Sequence, residues 1–129
     1  MSAASVFEVT RLESLRLQLG DRGVDLVHEL IALYLVQGRD LVSQIEAAGT
    51  AADPLSLRAA AHKLKGSTST LGGDRLAVVC DRIDGTPATE LDVDGSTQEV
   101  RREFEKLAAE LARYRSSVLG EPTARKPSE

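Results

Sequence analysis

Aromatic side chains are scarce in this chain: two phenylalanines, two tyrosines and no tryptophan among 129 residues. Without large rings, a core has to be filled by Leu, Val, Ile and Ala, which suits helix packed on helix better than a β-sandwich. A single cysteine, Cys80, excludes an internal disulfide. It ends the apolar run Leu76-Ala77-Val78-Val79-Cys80 and is expected to be a buried, reduced thiol. Positive charge is not in excess: the net charge is -4, with the signs interspersed. Nucleic acid is therefore not expected as a partner, because phosphate binding needs a basic face. No run approaches the roughly 18 apolar residues of a membrane span, and the first residues lack the basic and apolar stretches of a secretory signal. These absences lead to the expectation of a cytoplasmic protein without membrane association. What is present, 42% hydrophobic and 28% charged residues, is the composition of an ordinary globular domain.

Helix signals punctuate the chain. After a flexible lead-in over residues 1–8, Thr10-Arg11-Leu12-Glu13 has the form of a capping box opening a short helix that ends near Gly20. Asp21 is expected to cap a second helix to about Ala48, stopped by Gly49. Apolar residues such as Val27, Ile31, Tyr34, Val42 and Ile45 recur there at helical spacing, and Gly38 interrupts them. Asp53-Pro54 pairs an N-cap with a proline at the first helical position, and predicts a third helix to about Leu71, ended by Gly72-Gly73. Asp74 is expected to cap a fourth helix to about Asp84. A loop over residues 85–95 and a long helix from Ser96 to about Val118 complete the pattern. Residues 119–129 are expected to be a disordered tail. Short connections favour antiparallel neighbours. The expected fold is all-α: one domain over residues 9–118, an antiparallel up-down four-helix bundle with a short extra N-terminal helix.

The third helix carries the chemistry. At about 100° per residue, Leu57, Ala61, Leu64, Thr68 and Leu71 form a core stripe, and His62 lies about 140° from its centre. His62 should therefore face solvent, with Arg58, Lys65, Gly66 and Ser69 on its side of the helix. Neutral imidazole is a good nucleophile near neutral pH. Attack on a phosphoryl group puts roughly two negative charges beside the ring, and Lys65, one turn away, can offset them. Gly66 weakens the helix by about 0.5–1 kcal/mol relative to alanine; the compensating gain is access, since no β-carbon obstructs a partner approaching His62. His28 has no motif around it and is expected to be an ordinary surface or half-buried histidine.

The run Ala61-His62-Lys63-Leu64-Lys65-Gly66-Ser67-Thr68-Ser69-Thr70-Leu71-Gly72 resembles the signature of histidine-containing phosphotransfer (Hpt) domains, A-H-x-L-K-G-S-x-x-x-L-G. Weaker likeness covers about residues 7–115. Tyr34 stands where the family often has phenylalanine, and Asp84 and Gly73 where glutamate and alanine are commoner. The resemblance implies a four-helix bundle that accepts a phosphoryl group from a receiver-domain aspartate, or from a hybrid histidine kinase, and passes it to a response regulator. His62 would be the phosphorylated residue, Lys65 its charge partner and Gly66 the clearance site, with Arg58 and Ser69 as partner-binding neighbours. The family has no ATP site, and no phosphate-cradling glycine loop occurs here. No cofactor or metal is expected in this chain; the Mg²⁺ for transfer would belong to the receiver. The protein is expected to act as a monomer.

Two other readings compete. A docking module could keep the bundle and regulate a receiver or kinase by occupancy alone; retention of His62, Lys65 and Gly66 together argues against it. The dimerisation part of a histidine kinase would be a two-helix hairpin, which five predicted helices disfavour.

Overall fold

Asp53 and Gly72 bracket the helix that carries His62. The Asp53 side chain accepts from the backbone N–H of Ser56, and Pro54 occupies the first turn. Gly72 ends the helix in the left-handed conformation, with φ 92°. In this computed structural model, which describes residues 4–120 without the side chain of Val118, the helices are α1 (Thr10–Gln18), α2 (Gly23–Thr50), α3 (Pro54–Leu71), α4 (Asp74–Asp84) and α5 (Val93–Tyr114). Two 3₁₀ turns (Gly20–Arg22, Ala88–Glu90) and a π-helical turn (Arg115–Leu119) complete the described residues, which contain no strand. The tail over residues 121–129, and residues 1–3 of the lead-in, lie outside the described residues.

The described residues form an all-helical fold. Each long helix packs against the next, α2 on α3, α3 on α4 and α4 on α5, and α5 returns to α2; α1 lies on α2. The expected stripe of α3 is buried as a unit: Leu57, Ala61, Leu64, Thr68 and Leu71 are each 4% exposed or less. It joins a core that includes Ile31, Ile45, Val79, Ile83, Phe104 and Leu107. Cys80 is buried as expected.

Several capping assignments are corrected. Thr10 is not an N-cap: α1 starts there without a side-chain cap. Glu13 instead accepts from Arg16 and from the Tyr114 hydroxyl of α5, which ties the first helix to the last. Asp21 falls in a 3₁₀ turn, and α2 starts at Gly23, where the backbone carbonyl of Arg16 comes so close that a β-carbon would clash at 2.1 Å. Close contact, not a cap, sets that start. Gly49 does not stop α2, which runs through it to Thr50; the turn is made at Ala52, with φ 53°. Asp74 is already inside α4, and its carboxylate pairs with Arg11 of α1. The last helix begins earlier than expected, because Asp92 caps the N–H of Gly95 and leaves Ser96 buried.

The lead-in is docked where it is described. Arg75 N–H donates to Ser5 O, and Glu8 N–H donates to Gly72 O at 2.6 Å. A β-carbon on Gly72 would meet Glu8 O at 2.2 Å, so glycine serves both the left-handed turn and this close approach. His28 is buried, contrary to expectation, with Nε2 2.6 Å from the carbonyl of Gly120.

Candidate functional site

His62 projects from the middle of α3 with 66% of its side chain exposed. The periodicity that buries Leu64 and Ala61 turns the imidazole outward. Gly66, one turn on, is exposed, and a β-carbon built there meets no atom within 4 Å. Nothing in the packing requires glycine at this position. Its two consequences are a bare helix surface beside the ring and a weaker helix.

Helix α4 supplies what the helical-wheel argument missed. His62 Nδ1 lies 2.9 Å from Asp84 Oδ2. The hydrogen bond from His62 holds the Asp84 carboxyl below the ordinary carboxylate range; desolvation opposes it, and the charge of His62 and the hydrogen bond and charge of Lys65 add smaller lowering contributions. An ionised carboxylate only accepts hydrogen bonds. The neutral ring must therefore donate from Nδ1–H, which leaves the lone pair on Nε2. One nitrogen holds the orientation of the ring, and the other keeps its lone pair available.

Lys65 is drawn into the same cluster. Its ammonium donates to Asp81 Oδ1 at 3.1 Å and to Asp84 Oδ2 at 3.4 Å. The bond to Asp81 is the main reason the ammonium holds its proton more tightly than an ordinary lysine. The expected basic face around the ring is thus a mixed one, with the carboxylates of Asp81 and Asp84 interleaved among the cations. Arg58 turns away from solvent and donates to the backbone carbonyl of Asp84 at 2.9 Å, satisfying the C-terminal end of α4. Ser69 is exposed and lines, with Lys65, Val78 and Asp81, an open groove of ≈ 420 Å³ between α3 and α4.

Asp81 and Asp84 had a partial signal. They are three apart on one helix face, and Asp84 stands where the resemblance has a glutamate. Only the packing of α4 on α3 brings Asp84 to His62 and Asp81 to Lys65. A second departure also finds its reason: the Tyr34 hydroxyl, buried where the family often has phenylalanine, lies 2.7 Å from Thr68 Oγ1. Burial pushes the phenol well above its ordinary pKa.

On the other flank of α3, Leu30, Leu33 and Val36 of α2 are exposed, Val36 at 70%, while Leu35 packs against the core. Leu30 and Leu33 line an apolar groove of ≈ 240 Å³ with Leu12, Leu15, Tyr34 and Leu71. No group of three or more metal-ligating side chains occurs among the described residues, and no helix there is long and apolar enough to cross a membrane.

The family model of the Hpt domain matches residues 29–117. Comparison with curated proteins gives no match. Among solved structures, the chain is similar to histidine-containing phosphotransfer protein B (HptB) from Pseudomonas aeruginosa PAO1, at 22% sequence identity and a TM-score of 0.74, over 88% of this chain and 96% of that one. At that identity the likeness is one of fold.

Proposed function

This chain belongs to the Hpt domain family, and on that premise we propose that it is a phosphoryl carrier of a two-component phosphorelay, taking the group on His62 from a receiver-domain aspartate or a hybrid histidine kinase and handing it to a response regulator. The single observation that carries the reading is the outward imidazole whose Nδ1 is engaged by Asp84. Nε2 attacks the phosphorus of the donor's aspartyl phosphate. The Nε2–P bond forms as the P–O bond breaks, and the electron pair leaves on the donor carboxylate. Positive charge develops on the ring while its proton stays on Nδ1, and the Asp84 carboxylate balances it. The reverse sequence delivers the group to the second receiver.

Gly66 provides clearance for the receiver's phosphorylated side chain, and Lys65 meets the arriving oxygens. Arg58 steadies the end of α4, and Ser69 belongs to the partner-facing surface. The exposed leucines of α2 are the docking surface for the receiver, a small transient interface with an apolar centre. The partner supplies the Mg²⁺ that transfer uses, and no cofactor resides in this chain. The working unit is residues 9–118, with α2–α5 as an antiparallel up-down bundle and α1 as its extra helix, acting as a monomer in the cytoplasm.

Incubation with a phosphorylated receiver domain, or with a hybrid kinase and ATP, is expected to place acid-labile, base-stable label on the chain, and His62→Gln to abolish it. Label that persists in the variant removes the assignment to His62. Receiver binding that survives His62→Gln, with no uptake by wild type, would make the chain a docking module.

A further inference from the structure

Lys65 is not a free cation at rest. Its ammonium lies between Asp81 Oδ1 at 3.1 Å and Asp84 Oδ2 at 3.4 Å. The latter oxygen is the one that accepts from His62 Nδ1. Asp84 therefore serves the ring and the ammonium together, whereas the contact from Asp81 is made to the ammonium. The two carboxylates also differ in exposure, 72% for Asp81 and 29% for Asp84.

A phosphoryl group on Nε2 adds roughly two negative charges to a cluster that already holds two carboxylates. The phosphoryl oxygens must then share the ammonium with anions that were there first. Full neutralisation by Lys65 would deepen the phosphohistidine well and make the group harder to pass on. A cation already engaged gives less net stabilisation, because binding the phosphoryl group means loosening an existing ion pair.

We propose that Asp81 is a positioning residue that competes with the phosphoryl group for Lys65 and so keeps phospho-His62 high in transfer potential. The proposal rests on the carrier reading and deepens it: affinity for the phosphoryl group is deliberately incomplete. Asp84 cannot take this part alone, because its carboxylate also orients the imidazole.

The test uses phosphoramidate as donor, so that docking to a protein partner does not enter. Nε2 attacks the phosphorus of phosphoramidate protonated on its nitrogen (H₃N⁺–PO₃), the Nε2–P bond forms, the P–N bond of the donor breaks, and neutral ammonia leaves with the bonding pair while the ring keeps Nδ1–H. The ratio of phosphorylated to free His62 is read by ³¹P NMR at fixed phosphoramidate and ammonium concentrations. Asp81→Asn is expected to raise that ratio about two- to fivefold, the range for one partly exposed ion pair. Asp81→Glu, which keeps the carboxylate, is expected to return it toward wild type. In a Lys65→Gln background, Asp81→Asn is expected to change nothing, since the effect runs through the ammonium. An unchanged ratio in Asp81→Asn, equal shifts in the Asn and Glu variants, or an undiminished effect without Lys65 overturns the proposal and leaves the carrier reading standing. A wild-type protein that takes no phosphoryl group from phosphoramidate, nor from a phosphorylated receiver, overturns the carrier reading and this proposal with it.

Discussion

In the proposed carrier the two ring nitrogens of His62 have separate tasks, and the hydrogen bond to Asp84 is what distinguishes them. The Asp84 carboxyl is held low chiefly by the bond from His62. A carboxyl depressed in the folded state contributes stability above its unfolded pKa and loses it as pH falls through the folded value. The contact is therefore complete at neutral pH and fails only in acid, below the ordinary aspartate range. A ¹³C NMR titration of the Asp84 carboxyl should have its midpoint below that range, and His62→Ala should move it upward. Asp84→Ala should slow phosphoryl uptake by roughly tenfold through loss of a charge-assisted orienting bond, measured as the initial rate from phosphoramidate. Gly66 separates access from architecture, because a β-carbon there meets nothing. Gly66→Ala is expected to stabilise the fold by about 0.5–1 kcal/mol in urea denaturation. The same variant should slow transfer from a receiver domain and leave uptake from phosphoramidate unchanged.

Between elements, glycine has the opposite meaning. A β-carbon on Gly38 would lie 2.7 Å from the Phe104 ring, which is 1% exposed and has no room to retreat. That ring stacks obliquely on Tyr34 at 6.1 Å and lies under the Arg39 guanidinium at 5.4 Å. Gly38 lets α2 and α5 approach at the price of local helix propensity. Gly38→Val should destabilise the protein by about 1–3 kcal/mol through overpacking, read as a lower urea midpoint. Two glycines in long helices thus give opposite signs, for reasons that lie in what faces them. The capping errors have the same origin. Asp53 caps as its local sequence says, with the backbone N–H and the hydroxyl of Ser56 both donating to its carboxylate. Glu13 is taken up by Arg16 one turn along α1 and by Tyr114 of α5, and Asp74 by Arg11 of α1. A surface ion pair, within a helix as for Glu13 or between helices as for Asp74, can outcompete a cap, since each is worth only about 1 kcal/mol.

At the scale of the whole molecule, the core formed by the described residues carries the face that presents His62. Cys80 reports on that core. Burial pushes its thiol up to about 12, so the reactive thiolate is scarce at neutral pH. The native protein should be almost inert to a thiol-specific disulfide reagent, with reactivity rising in urea in step with the loss of helical circular dichroism. Rapid labelling in native buffer would mean that α4 opens locally, and with it the Asp81–Asp84 side of the site.

The outward direction of His62, the stripe beneath it and the ends of α3 were legible in the sequence, because helical periodicity and capping by adjacent residues act within a few turns. So was the all-helical class, through a core with few rings to place. The carboxylates beside the imidazole, the pairing of Lys65 and the reason for Gly38 were decided only by tertiary structure. Each depends on which residue of one helix comes level with a residue of another, and that register follows from side-chain packing across the interface, which spacing along a single chain does not encode.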